Sequence, residues 1–153
     1  MRSVMVEIVP SRRRSPIGIV AEEAPRIPAG AAALWTATLS GEPLPRGAAR
    51  EIAFVRGVPR AVPTQRARSW QRASLAQLLN RRPSRPFSAA LVLECRFWHG
   101  AVQGAADDAD VIELLERAAV IASRRQIGEK HVFSGNDALN PRVEIALRRS
   151  YRF

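Results

Sequence analysis

Apolar residues recur at every second position in two stretches of the chain, and this alternation predicts two β-strands. In residues 87–98 these positions are Leu91, Leu93, Cys95 and Phe97, and in residues 142–149 they are Val143, Ile145 and Leu147. Alternate side chains of a strand point to the same face, so each strand would bury one face. Shorter apolar segments predict further strands at residues 4–9, 33–40, 50–55 and 130–133.

Two other stretches show the period of an amphipathic helix. Residues 64–81 place Gln71, Leu75, Leu78 and Leu79 at helical spacing, and Thr64 is suited to cap this helix. In residues 108–122, the apolar positions are Val111, Leu114, Leu115, Ala118 and Ala122. The order of strands and helices predicts a two-layer domain of the α/β or α+β class. We expect an α+β domain in which two main helices pack on a small mixed sheet.

The N-terminal part of the chain differs from the rest. Residues 10–32 are rich in proline and charge and show no sustained period, which is typical of a loop or a loosely held arm. We therefore expect two regions: an N-terminal extension at 1–32, partly disordered, and a folded domain at 33–153.

Arginine dominates the charge of this protein. The chain has 153 residues, 24 basic against 14 acidic residues and a formal net charge of +10, and Lys130 is its single lysine. Arginine pairs with phosphate through two parallel hydrogen bonds, so a partner with many phosphates is one interpretation. A general bias towards arginine at solvated positions is the other, and composition alone does not choose between them.

Several classes of protein are disfavoured by what the sequence lacks. Cys95 is the single cysteine, which excludes an internal disulfide and is compatible with a reducing compartment. One cysteine and two histidines do not suffice for an ordinary zinc site. The sequence contains no phosphate-binding glycine motif for a nucleotide cofactor, no signal peptide and no apolar run long enough for a membrane. We expect a soluble, cytoplasmic protein.

Three of the four aspartates lie together in the segment DDAD, which permits two interpretations. In the first, Asp110 caps a helix and Glu113 completes a capping box. In the second, Asp108 and Asp110 end a loop after a buried strand, and Asp137, in a turn before the closing strand, reaches the same edge of the sheet. Oxygen ligands of this kind suit Mg²⁺ or Mn²⁺.

Five segments between Leu34 and Arg149 follow one another in an order and spacing that are similar to a known family. They are LSGEPLPRGAAR, RGVPRAVPTQRARSW, PFSAALVLECRFW, DADVIELLERA and FSGNDALNPRVEIALRR. Together they resemble the RusA-type Holliday junction resolvases of bacteria and their prophages. The resemblance implies a homodimeric, Mg²⁺-dependent endonuclease that acts on branched DNA in recombination and repair.

The resemblance also implies roles for individual residues. Asp108, Asp110 and Asp137 match the metal-binding and catalytic aspartates of the family. Two positions depart from its pattern, because Val111 replaces an asparagine and Leu114 replaces a lysine that is tied to catalysis. The cations that remain to replace this lysine are Arg117, Arg124 and Lys130.

The expected DNA contacts are arginines on the predicted strand at 50–55, on the turn that follows it and on the first helix: Arg50, Arg56, Arg60, Arg66, Arg68 and Arg72. Two rival functions are a DNA-binding protein of this fold without catalysis and a basic structural or assembly protein. His99 and His131 are either general bases or simply exposed residues. The three tryptophans either stack on unpaired bases or, as the periodicity favours, pack in the core: Trp35, Trp70 and Trp98.

Overall fold

The structure, a computed structural model, describes residues 2–5, 32–44, 49–100 and 107–151. In this part of the chain the elements are β1 (Arg2–Met5), β2 (Trp35–Ser40), β3 (Arg50–Val55), β4 (Val58–Pro63), α1 (Gln65–Arg81), β5 (Leu91–His99), α2 (Asp108–Arg117), a 3-10 helix (Arg124–Gln126), β6 (Ile127–Asp137) and β7 (Arg142–Arg149).

Five of the strands form one mixed sheet in the order β1-β6-β5-β7-β2. The central strand β5 runs parallel to β6 and antiparallel to β7, and the two edge strands pair antiparallel with their neighbours. The chain passes from β6 to β7 across the end of β5 through residues 138–141. Strands β3 and β4 form a separate antiparallel hairpin. The mixed sheet and the two helices confirm the predicted α+β class.

Both helices contribute to a core on one face of this sheet, which we call the helix face. The alternating apolar residues of β5 and β7 are buried there, as predicted, together with Leu78 of α1 and with Val111, Leu114 and Leu115 of α2. The intervening residues of β5 and β7 point to the opposite face, which we call the second face. It carries the side chains of Glu94, Arg96, Trp98, Arg142, Glu144 and Arg148.

Helix α1 begins as the sequence predicts, and Leu78 and Leu75 lie in or against the core as expected, unlike Leu79. The hydroxyl of Thr64 accepts a hydrogen bond of 3.1 Å from the backbone N–H of Ala67, which confirms the N-cap. The buried residues of the helix are Ala67, Ser74 and Leu78, whereas Leu79 is 41% exposed. Consecutive residues of a helix are rotated by about 100°, so burial of Leu78 turns Leu79 towards solvent.

Helix α2 ends at Arg117, well before the predicted end. Ala119 has a positive φ of 59°, a conformation usually taken by glycine at this position after a helix. The N–H of Val120 donates to the carbonyl oxygen of Leu115 at 2.9 Å, and the N–H of Phe87 donates to the carbonyl of Val120. These hydrogen bonds take the place of the next helical turn. The sequence has no glycine after Arg117 that would have indicated the end of the helix.

The first described residues belong to the main sheet. The backbone of β1 pairs antiparallel with residues 134–137 of β6, so this strand begins two residues before the predicted 4–9, of which residues 6–9 lie outside the described residues. Most of the expected N-terminal arm, residues 6–31, lies outside the described residues. Among the described residues, no helix is long and apolar enough to cross a membrane.

Candidate functional site

The aspartates at the start of α2 divide between capping and other roles. The side chain of Asp107 caps the helix by accepting a hydrogen bond of 3.0 Å from the N–H of Ala109. The predicted cap at Asp110 with Glu113 is therefore wrong, because Asp110 already lies inside the first turn. One carboxylate suffices as the cap, which leaves those of Asp108 and Asp110 to be explained.

Asp108 forms an ion pair with the single lysine of the chain. Its Oδ2 lies 2.7 Å from Nζ of Lys130, and the side chains of Asp108 and Lys130 are 23% and 48% exposed. Lys130 pairs in register with Leu93, so its side chain lies on the helix face, beside α2. Of the three cations that the sequence offers near the aspartates, the one that contacts Asp108 is thus Lys130.

Asp137 has a different environment from the one predicted for it. It is the last residue of β6 and does not lie in a turn. Its Oδ2 accepts a hydrogen bond of 2.9 Å from Nη1 of Arg142, and the two side chains are only about a tenth exposed, at 10% and 9%. Arg142 also contacts Glu144 at 3.4 Å. Asp137 is therefore one partner of a buried ion pair on the second face.

The three aspartates expected to share a metal ion do not lie together. Lys130 and Asp137 are seven positions apart on β6, an odd number, so their side chains point to opposite faces of the sheet. Because a strand rises by about 3.3 Å per residue, the Cα atoms of Lys130 and Asp137 are about 23 Å apart. The described residues contain no group of three His, Cys, Asp or Glu side chains that could hold a metal ion. The residues present thus do not fit an Mg²⁺ or Mn²⁺ ion shared by Asp108, Asp110 and Asp137.

The arginines expected to contact DNA lie on two consecutive elements, the β3–β4 hairpin and α1. All six are exposed, and Glu51 is the single acidic residue in residues 50–72. Arg68 also has a structural contact, because its Nη1 donates to the carbonyl oxygen of Pro63 at 2.9 Å and braces β4 against α1. The other five present their guanidinium groups to solvent: Arg50, Arg56, Arg60, Arg66 and Arg72. We call these five residues the arginine surface.

A small cleft lies between α1 and the start of α2. Trp70 and Gln71 of α1, Phe97 of β5, and Asp107 and Asp110 are among the residues that line it. The Nε1 atom of Trp70 is buried and has no hydrogen-bond partner among the described residues. The cleft brings part of the aspartate group next to the helix that carries the arginines, although these residues lie far apart in the sequence.

Of the two histidines, His99 contradicts the expectation of exposure, whereas His131 is partly exposed. His99 is the last residue of β5 and is 1% exposed, because its side chain follows Phe97 on the helix face. His131 lies in β6 and its Nε2 is 2.7 Å from Oε1 of Glu129. His99 is thus enclosed in the fold and His131 is held by a neighbouring carboxylate.

The tryptophans contribute to packing, as their periodicity favours. Trp98 is 4% exposed, and its Nε1 donates to Glu144 at 2.7 Å while the guanidinium carbon of Arg142 lies 5.1 Å from its ring. Trp35 and Trp70 pack against the core. Sequence reasoning missed the charged network around Trp98, because alternating charged positions in a strand ordinarily face solvent.

Cys95 is expected to be unreactive in the native protein. Burial and, next, the nearby carboxylate of Asp108 raise the pKa of its thiol, so the neutral form is favoured. At mildly alkaline pH, a thiol-reactive dye should label the unfolded chain and leave the native chain unlabelled. The raised pKa contributes stability below the ordinary thiol pKa, and this contribution should decline as pH rises above that value. Rapid native labelling would contradict the buried position.

No family model matches the chain, and no curated protein matches it in sequence. Inferences about function therefore depend on the residues and contacts described above.

Proposed function

We propose that this chain is a nucleic-acid-binding protein that holds branched DNA on its arginine surface. One observation carries the proposal: six exposed arginines and one acid occupy the hairpin and the first half of α1, and five of these arginines form the arginine surface. Exposed arginines are suited to bidentate contacts with phosphate, and among the described residues no carboxylate is paired with the five of the arginine surface. By contrast, acidic residues elsewhere hold their arginines in ion pairs, as Asp137 and Glu144 hold Arg142.

The resemblance to the RusA-type resolvases supports the choice of branched DNA over other phosphate-rich partners. It also implies a homodimer and a place in recombination and repair, and both belong to this proposal. The rival, a basic structural or assembly protein, requires no particular placement of the arginines. The local excess of arginine over acid in residues 50–72 is therefore an argument against that rival.

Mg²⁺-dependent cleavage is a second candidate activity, and the position of Lys130 favours it. The ammonium group of Lys130 lies beside Asp108, where it supplies a cation that Leu114 cannot. Leu114 itself is 1% exposed and belongs to the core. The position of Asp137 weighs against cleavage, because two aspartates on one face and a third on the other leave the metal site incomplete. Binding without cleavage is the function that we favour.

The experiment is a titration of the protein with a fluorescent four-way junction, a duplex of the same sequence and a single strand, with and without Mg²⁺. We expect tightest binding to the junction, no requirement for Mg²⁺ and no nicks in the bound DNA. The logarithm of the affinity should fall linearly with the logarithm of the salt concentration. A flat salt response would exclude nucleic-acid binding. Nicks that require Mg²⁺ and disappear in Asp110→Asn would establish the endonuclease instead.

A further inference from the structure

The β3–β4 hairpin exposes an apolar face that the fold does not use. Ile52 and Phe54 point to the same face of β3 and are 70% and 75% exposed. Their partners across the hairpin are Ala61 and Pro59, both also exposed. Because Ile52 and Phe54 are exposed, they contribute little to the folding of the hairpin, and a two-stranded hairpin is at best marginally stable by itself. A contiguous apolar patch of this kind marks an interaction surface.

The tip of the hairpin has an unusual residue for its conformation. Arg56 and Gly57 form a two-residue turn with positive φ angles of 52° and 78°. This turn prefers asparagine or glycine at the first position, because other residues are strained at a positive φ. Backbone strain tends to be retained where a side chain has a function. The strain at Arg56 therefore points to a role for its guanidinium group.

We propose that the hairpin enters branched DNA, with Arg56 on a phosphate and the apolar face against bases exposed at the branch. This inference rests on the proposed function. Charge favours DNA as the partner: Arg50 lies on the same face as the patch, Arg56 at the tip of the hairpin and Arg60 on its opposite face, against the single Glu51. Like charges disfavour contact with the same hairpin of a second copy, whereas phosphates attract it. Aromatic side chains stack on unpaired bases of any sequence.

The first test replaces Arg56 by asparagine, a change with opposite effects on stability and binding. Arg56→Asn should leave the melting temperature unchanged or raise it, since Asn-Gly is the favoured sequence for this turn. It should also weaken junction binding and reduce the salt slope by about one. Arg56→Lys should retain most of the affinity, and Arg85→Asn, at an exposed arginine outside the hairpin, should change neither. Unaltered binding by Arg56→Asn would overturn the role of Arg56.

The second test removes the aromatic ring. Phe54→Ala should lower the affinity for the junction about tenfold or more and leave the salt slope unchanged, because stacking involves no counterions. A fluorescent adenine analogue at the branch should change its emission on binding the parent and change it less with Phe54→Ala. The control is Leu139→Ala, at a leucine that is 88% exposed and lies in the link between β6 and β7.

Two results would overturn the hairpin inference while the proposed function stands. One is a Phe54→Ala variant that binds the junction as tightly as the parent. The other is a parent dimer, seen by sedimentation, that Phe54→Ala converts to a monomer, which would assign the patch to self-association. A parent that binds no nucleic acid would overturn both the inference and the proposed function.

Discussion

Replacing Asp137 by asparagine is expected to lower the free energy of unfolding by about 3 kcal/mol. The change removes the charge that balances the guanidinium group of Arg142, whose side chain is 9% exposed. The longer contact with Glu144, at 3.4 Å, compensates only in part. A buried charge without a close partner cannot recover its hydration, which is the source of the cost. Urea unfolding of the parent and the variant measures this loss of stability, provided that the free energy of unfolding depends on urea concentration with the same slope in both.

The matched control is Asp108→Asn, which removes the same group from a more exposed ion pair. Because Lys130 is 48% exposed, this variant should lose at most about 1 kcal/mol. The double variant Asp137→Asn with Arg142→Gln should cost less than the sum of the single changes, since both charges are then absent. An Asp137→Asn variant of parental stability that has lost an Mg²⁺-dependent rise in melting temperature would instead identify Asp137 as a metal ligand.

The strands of the core were predictable because their pattern is both local and uninterrupted. In β5, apolar residues continue through every second position from Leu91 to Phe97, and these residues are buried against the helices. The N-cap of α1 was predictable for a similar reason, since Thr64 acts within four residues of itself. Such signals require no knowledge of the rest of the fold.

Strand β6 was predicted only in part, because its stability comes from its neighbours. Its sequence, IGEKHVFSGND, contains glycines and polar residues that have low strand propensity. Pairing with β1 and β5 on either side extends it to Asp137. Because β6 extends this far, Asp137 lies in the strand and not in the predicted turn. The alternation of side chains along the strand then places Asp137 on the second face.

The sequence predicts those site residues that only need to be exposed. It does not predict those whose role depends on a contact between distant parts of the chain. The six arginines of residues 50–72 were expected on the surface and are exposed. The contact of Lys130 with Asp108 depends on how β6 lies against α2, which no local pattern encodes. The strain at Arg56 likewise becomes visible only from the backbone angles of the turn.

The largest effect on binding is expected from the loss of four arginines together: Arg56, Arg60, Arg66 and Arg72, each replaced by glutamine. Each phosphate contact contributes about 0.9 to the salt slope, so four lost contacts should reduce the slope by about 3.6. At physiological salt the affinity for the junction should fall by about 10³-fold. The change lowers the formal net charge from +10 to +6. Junction titrations at several salt concentrations measure the slope and the affinity together.

A matched variant tests whether the position of the arginines matters or only the net charge. In this variant, glutamine replaces four exposed arginines of other regions: Arg82, Arg85, Arg125 and Arg149. Arg82 follows the far end of α1, about 25 Å along the helix from its start. Arg149 pairs with Leu91 at the beginning of β5, whereas the cleft beside the arginine surface is lined by Phe97 near its end. With the same net charge of +6, this variant should retain most of the affinity. Equal losses in the two variants would mean that binding follows overall charge, and the arginines would then reflect composition and not a DNA-binding surface.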